Sequence, residues 1–251
     1  MNSSLVKRKF EKSMETYNEN AYAQREIAEK LSNLVLSLYP HTPAAIFEIG
    51  CGTGLLTKKM INAFADAQFY VNDINDKANA LISELFVNSR YLFIPGDAQL
   101  IRFPKNVDLL VSSSVIQWFD NLSGFGQKAY ECLSNTGYMF LSTFGKKNLK
   151  EIRQITGAGL EYASPDELRS LFADDFEILN LSEEEIPVKF NSPVEILSHL
   201  RHTGVNAGCS GIMKTRSELN SFCNQYNQLF SNETTVILTY NPIYLALKKK
   251  I

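Results

Sequence analysis

The feature that most limits how this chain of 251 residues can fold is a glycine-rich turn, Glu48-Ile-Gly-Cys-Gly-Thr-Gly54. The turn follows a short apolar run, residues 44–49, and precedes an amphipathic stretch, so the order predicts a buried strand, a tight turn and a helix. Gly50, Gly52 and Gly54 indicate positions where the backbone turns sharply or touches a ligand, since a Cβ there would clash. Dinucleotide enzymes use the spacing G-x-G-x-x-G and seat a pyrophosphate at the helix N-terminus. The shorter G-x-G-x-G spacing found here favours a nucleoside ligand that carries no phosphate.

Strands and helices alternate along the chain, which is typical of βαβ units in a parallel sheet. The predicted strands are 44–49, 68–72, 91–94, 107–113, 138–144, 176–188 and 234–248, and the predicted helices are 22–38, 55–64, 76–86 and 122–133. Ser164, Ser192 and Thr215 are predicted to cap three further helices. We therefore expect one α/β domain with a mostly parallel seven-stranded sheet and helices on both faces. An N-terminal helical arm (1–26) would precede a core (27–187 and 231–251), and a helical lid (188–230) would be inserted between the last two strands.

Three acidic residues follow successive predicted strands at one edge of this sheet. Glu48 could hold an ammonium group, Asp73 lies where a carboxylate takes both ribose hydroxyls, and Asp97 could accept the adenine amino hydrogen. Taken alone, Asp73 could instead cap a helix and Asp97 could close a turn. Together the acids predict S-adenosyl-L-methionine, an adenosine joined to a methionine sulfonium, as the cofactor, with S-adenosyl-L-homocysteine as its product. The predicted cofactor site also includes Ile74, Ala98 and Ser113.

The composition argues against several other classes of protein. The formal net charge of −2 gives no general footprint for nucleic acid. No run approaches the roughly 20 apolar residues of a membrane span, and the N-terminus has no apolar signal segment. The four cysteines show no C-x-x-C pair, and the pair His199 and His202 has no third metal ligand nearby. We therefore expect a cytoplasmic protein with reduced thiols, no bound metal, no nucleic-acid partner and no membrane contact.

Three segments resemble one family of the Rossmann-like class I methyltransferases, the malonyl-acyl-carrier-protein O-methyltransferases of biotin synthesis. Residues 10–24 are similar to the family's F-x-x-(A/S)-x-x-x-Y-(D/E/N)-x-x-A-x-x-Q. Residues 113–123 are similar to its S-x-x-x-Q-W-x-x-N-L, and residues 199–206 to its L-(K/R)-x-x-G-x-N. The chain departs from the family at Asn18, where an acid is usual, so a role of that acid in relatives does not transfer.

The resemblance implies methylation of the free carboxylate of a malonyl thioester on acyl carrier protein, which yields the methyl ester used in biotin (pimeloyl) synthesis. A carboxylate with a pKa near 4 is already ionised and requires no general base, and the sequence offers no convincing base. Arg201 is expected to position this carboxylate, because a guanidinium binds it bidentately. Tyr17 is expected to hydrogen-bond the carboxylate or to cover the cofactor. Gln24 is assigned to the methionine end of the cofactor, and Trp118 and His199 to the substrate.

Alternatives remain open for these residues and for the function. Arg201 could be a solvated helix residue, and Tyr17 and Trp118 could be core aromatics. Three lysines in residues 146–150 could face the acidic carrier or simply be solvated. The chain could also methylate another small-molecule O or N acceptor, or bind the cofactor as a regulator without transfer. The oligomeric state is left open, with a monomer favoured.

Overall fold

The computed structural model describes residues 7, 8, 10, 11, 17, 19–204, 215–232 and 234–251. Over these residues the chain forms α-helices and β-strands in alternation, as the sequence predicts. The helices are α1 (Tyr22–Leu38), α2 (Leu55–Ala63), α3 (Ala78–Ser83), α4 (Leu122–Cys132), α5 (Lys150–Thr156), α6 (Pro165–Phe172), α7 (Pro193–His202) and α8 (Arg216–Phe230). The strands are β1 (Ala45–Ile49), β2 (Gln68–Asp73), β3 (Arg90–Pro95), β4 (Val107–Ser113), β5 (Leu133–Phe144), β6 (Phe176–Glu183), β7 (Ile186–Phe190), β8 (Val236–Tyr240) and β9 (Pro242–Lys249).

Seven of these strands form one sheet in the order β3-β2-β1-β4-β5-β9-β6. The pairs from β3 to β5 are parallel, and β9 runs antiparallel to both β5 and β6. The order reverses beside β1, since β2 and β4 flank it on opposite sides. In open α/β sheets a ligand binds at this point, outside the carboxyl ends of the strands. The predicted fold class, a mostly parallel seven-stranded sheet, is confirmed.

The sheet is buried on both faces because the side chains of its strands alternate between two hydrophobic cores. On β1, Ile46 packs in the core that contains the α1 residues Ile27 and Leu31. Its neighbour Phe47 packs in the other core, with the α4 residue Phe125. Helices therefore cover both faces and hold the strand ends rigidly at the edge where the acidic residues lie.

Two of the predicted strands are wrong as single elements. The segment 176–188 is split at Glu184 and Glu185, so β6 belongs to the large sheet while β7 leaves it. The segment 234–248 is split at Asn241, and β8 pairs with β7 in a separate two-stranded ribbon. Glu184, Glu185 and Asn241 have low strand propensity, but such a local signal does not indicate which sheet each half joins.

The insertion between β6 and β9 spans residues 184–241 and is wider than the predicted 188–230, because it includes the ribbon as well as α7 and α8. The predicted helix starts at Ser164, Ser192 and Thr215 are confirmed, since each side chain accepts a hydrogen bond from the backbone N–H three residues on. The short helix α5 was not predicted. None of the helices in the described residues is both long enough and apolar enough to cross a membrane.

Candidate active site

The glycine turn after β1 is tightly packed on one side and open on the other. Gly50 has a φ of +69°, and a Cβ at this position would lie 2.3 Å from Cγ2 of Val115. Gly52 has a φ of +54°, but a Cβ there would meet no protein atom within 4 Å. Glycine adopts such positive φ values without strain. The turn therefore approaches the loop after β4 closely at Gly50 and leaves free space for a ligand at Gly52.

A cavity of about 1140 Å³, counted to its open mouth, lies beside this turn at the carboxyl edge of the sheet. Most of the predicted site residues line it: Tyr17, Gln24, Glu48, Gly50, Gly52, Asp73, Ile74, Asp97, Ala98, Ser113 and Trp118. The structure thus brings together residues that lie up to 101 positions apart, from Tyr17 to Trp118.

Asp73 joins the end of β2 to the glycine turn. Its Oδ2 accepts a hydrogen bond from the Gly52 N–H at 2.8 Å, and its Oδ1 accepts one from the Asn75 N–H at 2.7 Å. Burial raises the pKa of Asp73 above its ordinary value, while these two hydrogen bonds oppose the rise. Each carboxylate oxygen has a further acceptor position. Asp73 can therefore accept two more hydrogen bonds, as a pair of ribose hydroxyls would provide.

Glu48 is buried at the end of β1, with 2% of its surface exposed. Its pKa is raised to about 7, chiefly by burial and also by the neighbouring carboxylate of Asp73, while hydrogen bonding from Thr57 opposes the rise. Its Oε2 has no hydrogen-bond partner among the described residues. A buried acceptor without a partner is unfavourable, and a buried carboxylate most of all. A cationic group on a ligand would supply both the missing donor and the compensating charge.

The loop after β3 forms a second wall of the cavity. Asp97 and Ala98 lie on this loop, and the Asp97 Oδ1 accepts the N–H of Gln99 at 2.9 Å. Lys128 of α4 donates to the carbonyl oxygens of Ala98 and Gln99, at 2.8 and 3.1 Å. Burial lowers the pKa of Lys128, and the carboxylate of Asp97 opposes that change. The loop is therefore held by hydrogen bonds on the side away from the ligand.

Aromatic side chains line the opposite wall, near the end of β4. The rings of Phe10 and Trp118 meet edge to face, with centroids 5.7 Å apart. Tyr17 is half-buried, and burial raises the pKa of its hydroxyl, as does the nearby Asp73 carboxylate. The Tyr17 hydroxyl is therefore neutral near pH 7 and available as a hydrogen-bond donor. Gln24 of α1 is buried beside this wall, and its Oε1 has no partner among the described residues.

Three predicted site residues do not line the cavity. Gly54 begins α2, where a Cβ would lie 2.6 Å from Cδ1 of Leu85, so its small size serves packing. Arg201 lies exposed on α7. His199 is buried inside the insertion, where its Nε2 lies 2.7 Å from the Tyr240 hydroxyl. Burial lowers the pKa of His199 to about 4, so its ring is neutral near pH 7.

His199 is therefore separated from the cavity lining and bound to Tyr240 through Nε2, and its predicted contact with the substrate stays a prediction. Arg201 is not among the residues that line the cavity, and its expected contact with the malonyl carboxylate stays a prediction. Asn18 and Asn206, from the arm and insertion motifs, lie outside the described residues. Over the part of the chain that the structure describes, no three metal-binding side chains cluster.

Sequence reasoning missed Asn72, Gln99 and Ser114, which also line the cavity. The side-chain amide of Asn72 donates to the carbonyl oxygens of Ile94 and Gly96, at 2.8 and 2.9 Å, and so fixes β3 to β2. Ser114 has a φ of +59°, and its buried Oγ has no partner among the described residues. A polar residue near the end of a buried strand, as Asn72 is in β2, was the available signal.

The cavity fits the predicted cofactor in its arrangement of donors and acceptors. Glu48 offers an unpartnered acidic oxygen for an ammonium group, Asp73 offers two acceptor positions for hydroxyls, and Gly52 leaves the space that a backbone-contacting ligand needs. Ile74 and Ala98 add apolar surface for a flat ring. These groups suit a polar, partly cationic nucleoside.

Comparisons with known proteins agree with this assignment. The profile of a family described as "Methyltransferase domain" matches residues 47–141. The malonyl-acyl-carrier-protein O-methyltransferase of Bacteroides thetaiotaomicron is 38% identical over 259 aligned positions, which cover 100% of this chain and 99% of that protein. A protein of the same name from Bacteroides fragilis is 39% identical over 98% of this chain, and the chain spans half of its length. The fold also matches the N-methyltransferase NodS of Bradyrhizobium japonicum, solved with S-adenosyl-L-homocysteine (TM-score 0.58, 12% identity, 97% of this chain and 98% of that chain).

Proposed function

The chain belongs to the malonyl-acyl-carrier-protein O-methyltransferase family, and on this premise we propose that it methylates the free carboxylate of malonyl-acyl carrier protein. The methyl donor is S-adenosyl-L-methionine. The observation that carries the proposal is the sequence identity of 34–38%, over nearly the full length, with relatives of that name. We further propose that the product ester enters biotin synthesis and that the enzyme works in the cytoplasm with its carrier.

The chemistry of the cavity supports a carboxylate acceptor. The described residues that line it include no histidine, lysine or arginine, and its three acidic residues, Glu48, Asp73 and Asp97, are assigned to the cofactor. A hydroxyl or amine acceptor would need a group to remove its proton, whereas a malonyl carboxylate with a pKa near 4 is ionised at pH 7. When bound, S-adenosyl-L-methionine supplies an electrophilic methyl group on a cationic sulfur. The protein's task is then to align the carboxylate with that methyl and to exclude water.

Individual residues have distinct parts in this proposal. Glu48 holds the ammonium group of the cofactor, Asp73 its ribose and Asp97 its adenine amino group. Tyr17 donates a hydrogen bond to the malonyl carboxylate or covers the cofactor, and Trp118 walls the acceptor. Because the Tyr17 hydroxyl stays protonated, it can orient the carboxylate by donating a hydrogen bond, and the carboxylate keeps its negative charge.

The carrier is an acidic protein, and the lysine-rich segment 146–150 was one expected contact. In the structure Lys146 pairs with Glu167, and Lys147 and Lys150 both pair with Glu185. These pairs are exposed, so each contributes little energy and can exchange partners. Carrier binding through this segment would have to replace Glu167 and Glu185 by carboxylates of the carrier.

The test is transfer of labelled methyl groups from the cofactor to malonyl-acyl carrier protein, malonyl-coenzyme A and the unacylated carrier. We expect label on the malonyl carrier as a base-labile ester, weaker labelling of malonyl-coenzyme A and none on the unacylated carrier. Labelling of the unacylated carrier, or no labelling of either malonyl thioester, would refute a malonyl carboxylate as acceptor.

A further inference from the structure

We propose that Lys128, a residue outside the cavity lining, is a positioning residue for the cofactor. The proposal rests on the chain binding S-adenosyl-L-methionine and is independent of which acceptor it methylates. Lys128 lies on α4, behind the loop that carries Asp97, Ala98 and Gln99 into the cavity.

The ammonium group of Lys128 gives all its donors to this loop. Its Nζ donates to the carbonyl oxygens of Ala98 (2.8 Å), Gln99 (3.1 Å) and Ile101 (2.7 Å). A lysine has three donors, so each is used. The same ammonium lies 4.4 Å from the centroid of the Phe103 ring, a cation–π contact that holds it from the other side. One side chain therefore fixes the backbone of residues 98–101 and with it the direction of Asp97.

The loop is in turn connected to the acceptor side of the cavity. The side-chain Oε1 of Gln99 accepts the N–H groups of Asp120 (2.8 Å) and Asn121 (3.3 Å). These residues follow the Trp118 and Phe119 wall directly. A displacement of the loop would thus reach Trp118, which is the single tryptophan of the chain and serves as a fluorescent reporter.

Removal of the ammonium should weaken cofactor binding more than it changes the reaction. Lys128→Met keeps the length of the side chain but leaves three carbonyl oxygens without their charged donor. We expect its Kd for S-adenosyl-L-homocysteine, measured by calorimetry, to rise about tenfold, the scale of losing one charge-assisted hydrogen bond. At saturating ligand, the Trp118 emission should reach its wild-type value, and kcat should stay within about twofold. Lys128→Arg should restore part of the affinity, because a planar guanidinium cannot direct three donors at one point.

Lys105→Met is the matched control. This exposed lysine donates to Glu131 of α4, the helix that carries Lys128, and makes no hydrogen bond to the loop. Its Kd should equal that of the wild type. Thermal unfolding without ligand identifies any variant that does not fold. If Lys128→Met does not fold, Lys128→Arg takes its place, and a severalfold rise in its Kd supports the proposal. If folded Lys128→Met has the Kd of the wild type, the proposal is overturned. If Lys128→Met does not fold, a wild-type Kd in Lys128→Arg overturns it. An equal rise of Kd in Lys105→Met also overturns it. Absence of methyl transfer from the wild-type protein to the malonyl carrier, with S-adenosyl-L-homocysteine still bound, would count against the acceptor assignment alone.

Discussion

Replacing Glu48 by glutamine should stabilise the ligand-free protein at alkaline pH while weakening its affinity for the cofactor. The folded pKa of Glu48 is about 7, above its ordinary value of 4.5. The folded chain therefore binds more protons than the unfolded chain between these values, and stability falls as the pH rises through them. Since a tenfold change in an equilibrium constant is worth about 1.4 kcal/mol, ionised Glu48 lowers the free energy of unfolding by about 3 kcal/mol at pH 8.5. At pH 5 the same linkage gives about 1 kcal/mol.

Glu48→Gln removes this pH-dependent loss, because an amide of similar shape does not ionise. Urea unfolding of both proteins at pH 5 and pH 8.5 should show that the difference between variant and wild type shifts by about 2 kcal/mol in favour of the variant at the higher pH. Calorimetry with S-adenosyl-L-homocysteine at pH 8.5 should show that the variant, although more stable, binds the ligand more weakly than the wild type. Loss of a charged partner for the ligand's ammonium group predicts a Kd raised about 10- to 100-fold.

Glu151→Gln is the matched control, a second buried glutamate that lies outside the cavity. Its carboxylate accepts hydrogen bonds from the backbone N–H of Thr239 (3.0 Å) and from the Thr239 hydroxyl (2.5 Å). Its replacement should destabilise the fold by about 1–3 kcal/mol and leave ligand affinity unchanged. The reasoning about Glu48 fails if Glu48→Gln changes stability equally at the two pH values, or if it binds the ligand as tightly as the wild type.

Four further predictions concern the remaining site residues. Tyr17→Phe loses the neutral donor and should lower kcat/KM about tenfold; unchanged turnover would remove Tyr17 from the site. Arg201→Ala should raise the KM for the malonyl carrier far more than the KM for the cofactor, and equal effects in steady-state assays would contradict its role. Gly50→Ala places a methyl group against Val115 and should reduce thermal stability by about 1–3 kcal/mol. Gly52→Ala should reduce ligand affinity more than stability, and the reverse result in unfolding and calorimetry experiments would contradict the open space at Gly52.

Local sequence patterns predict the core of the fold because its elements have strong periodicity and clear boundaries. The bounds of α1 and β4 agree with the predicted 22–38 and 107–113. The turn glycines and the acids were likewise visible, since each lies at or just after the carboxyl end of a strand, at one edge of the sheet. Their convergence in one cavity follows from parallel strands alone.

Features that depend on long-range pairing were not predicted. Whether the residues after Glu183 continue in the large sheet depends on the partner of β7, which is β8, about 50 positions away. The burial of His199 depends on Tyr240, 41 positions away. The role of Lys128 depends on carbonyl groups 27 to 30 positions away. Every residue has a backbone carbonyl, so no sequence pattern indicates which ones Lys128 contacts.

The ribbon of β7 and β8 brings both ends of the insertion together where they leave the large sheet. Ile186 is paired with Tyr240, the Glu184 N–H donates to the Pro242 carbonyl at 3.1 Å, and the Asn241 amide donates to the Glu184 carbonyl at 2.8 Å. The entropic cost of closing a loop grows only slowly with its length, by about 0.6 kcal/mol for each doubling, so segments of different length can join the same two ends. Because its two ends leave the large sheet side by side, the insertion can be regarded as an exchangeable cassette, open to replacement by the corresponding segment of a relative that fills the same core. Such grafts would test whether acceptor choice can change independently of the cofactor-binding sheet.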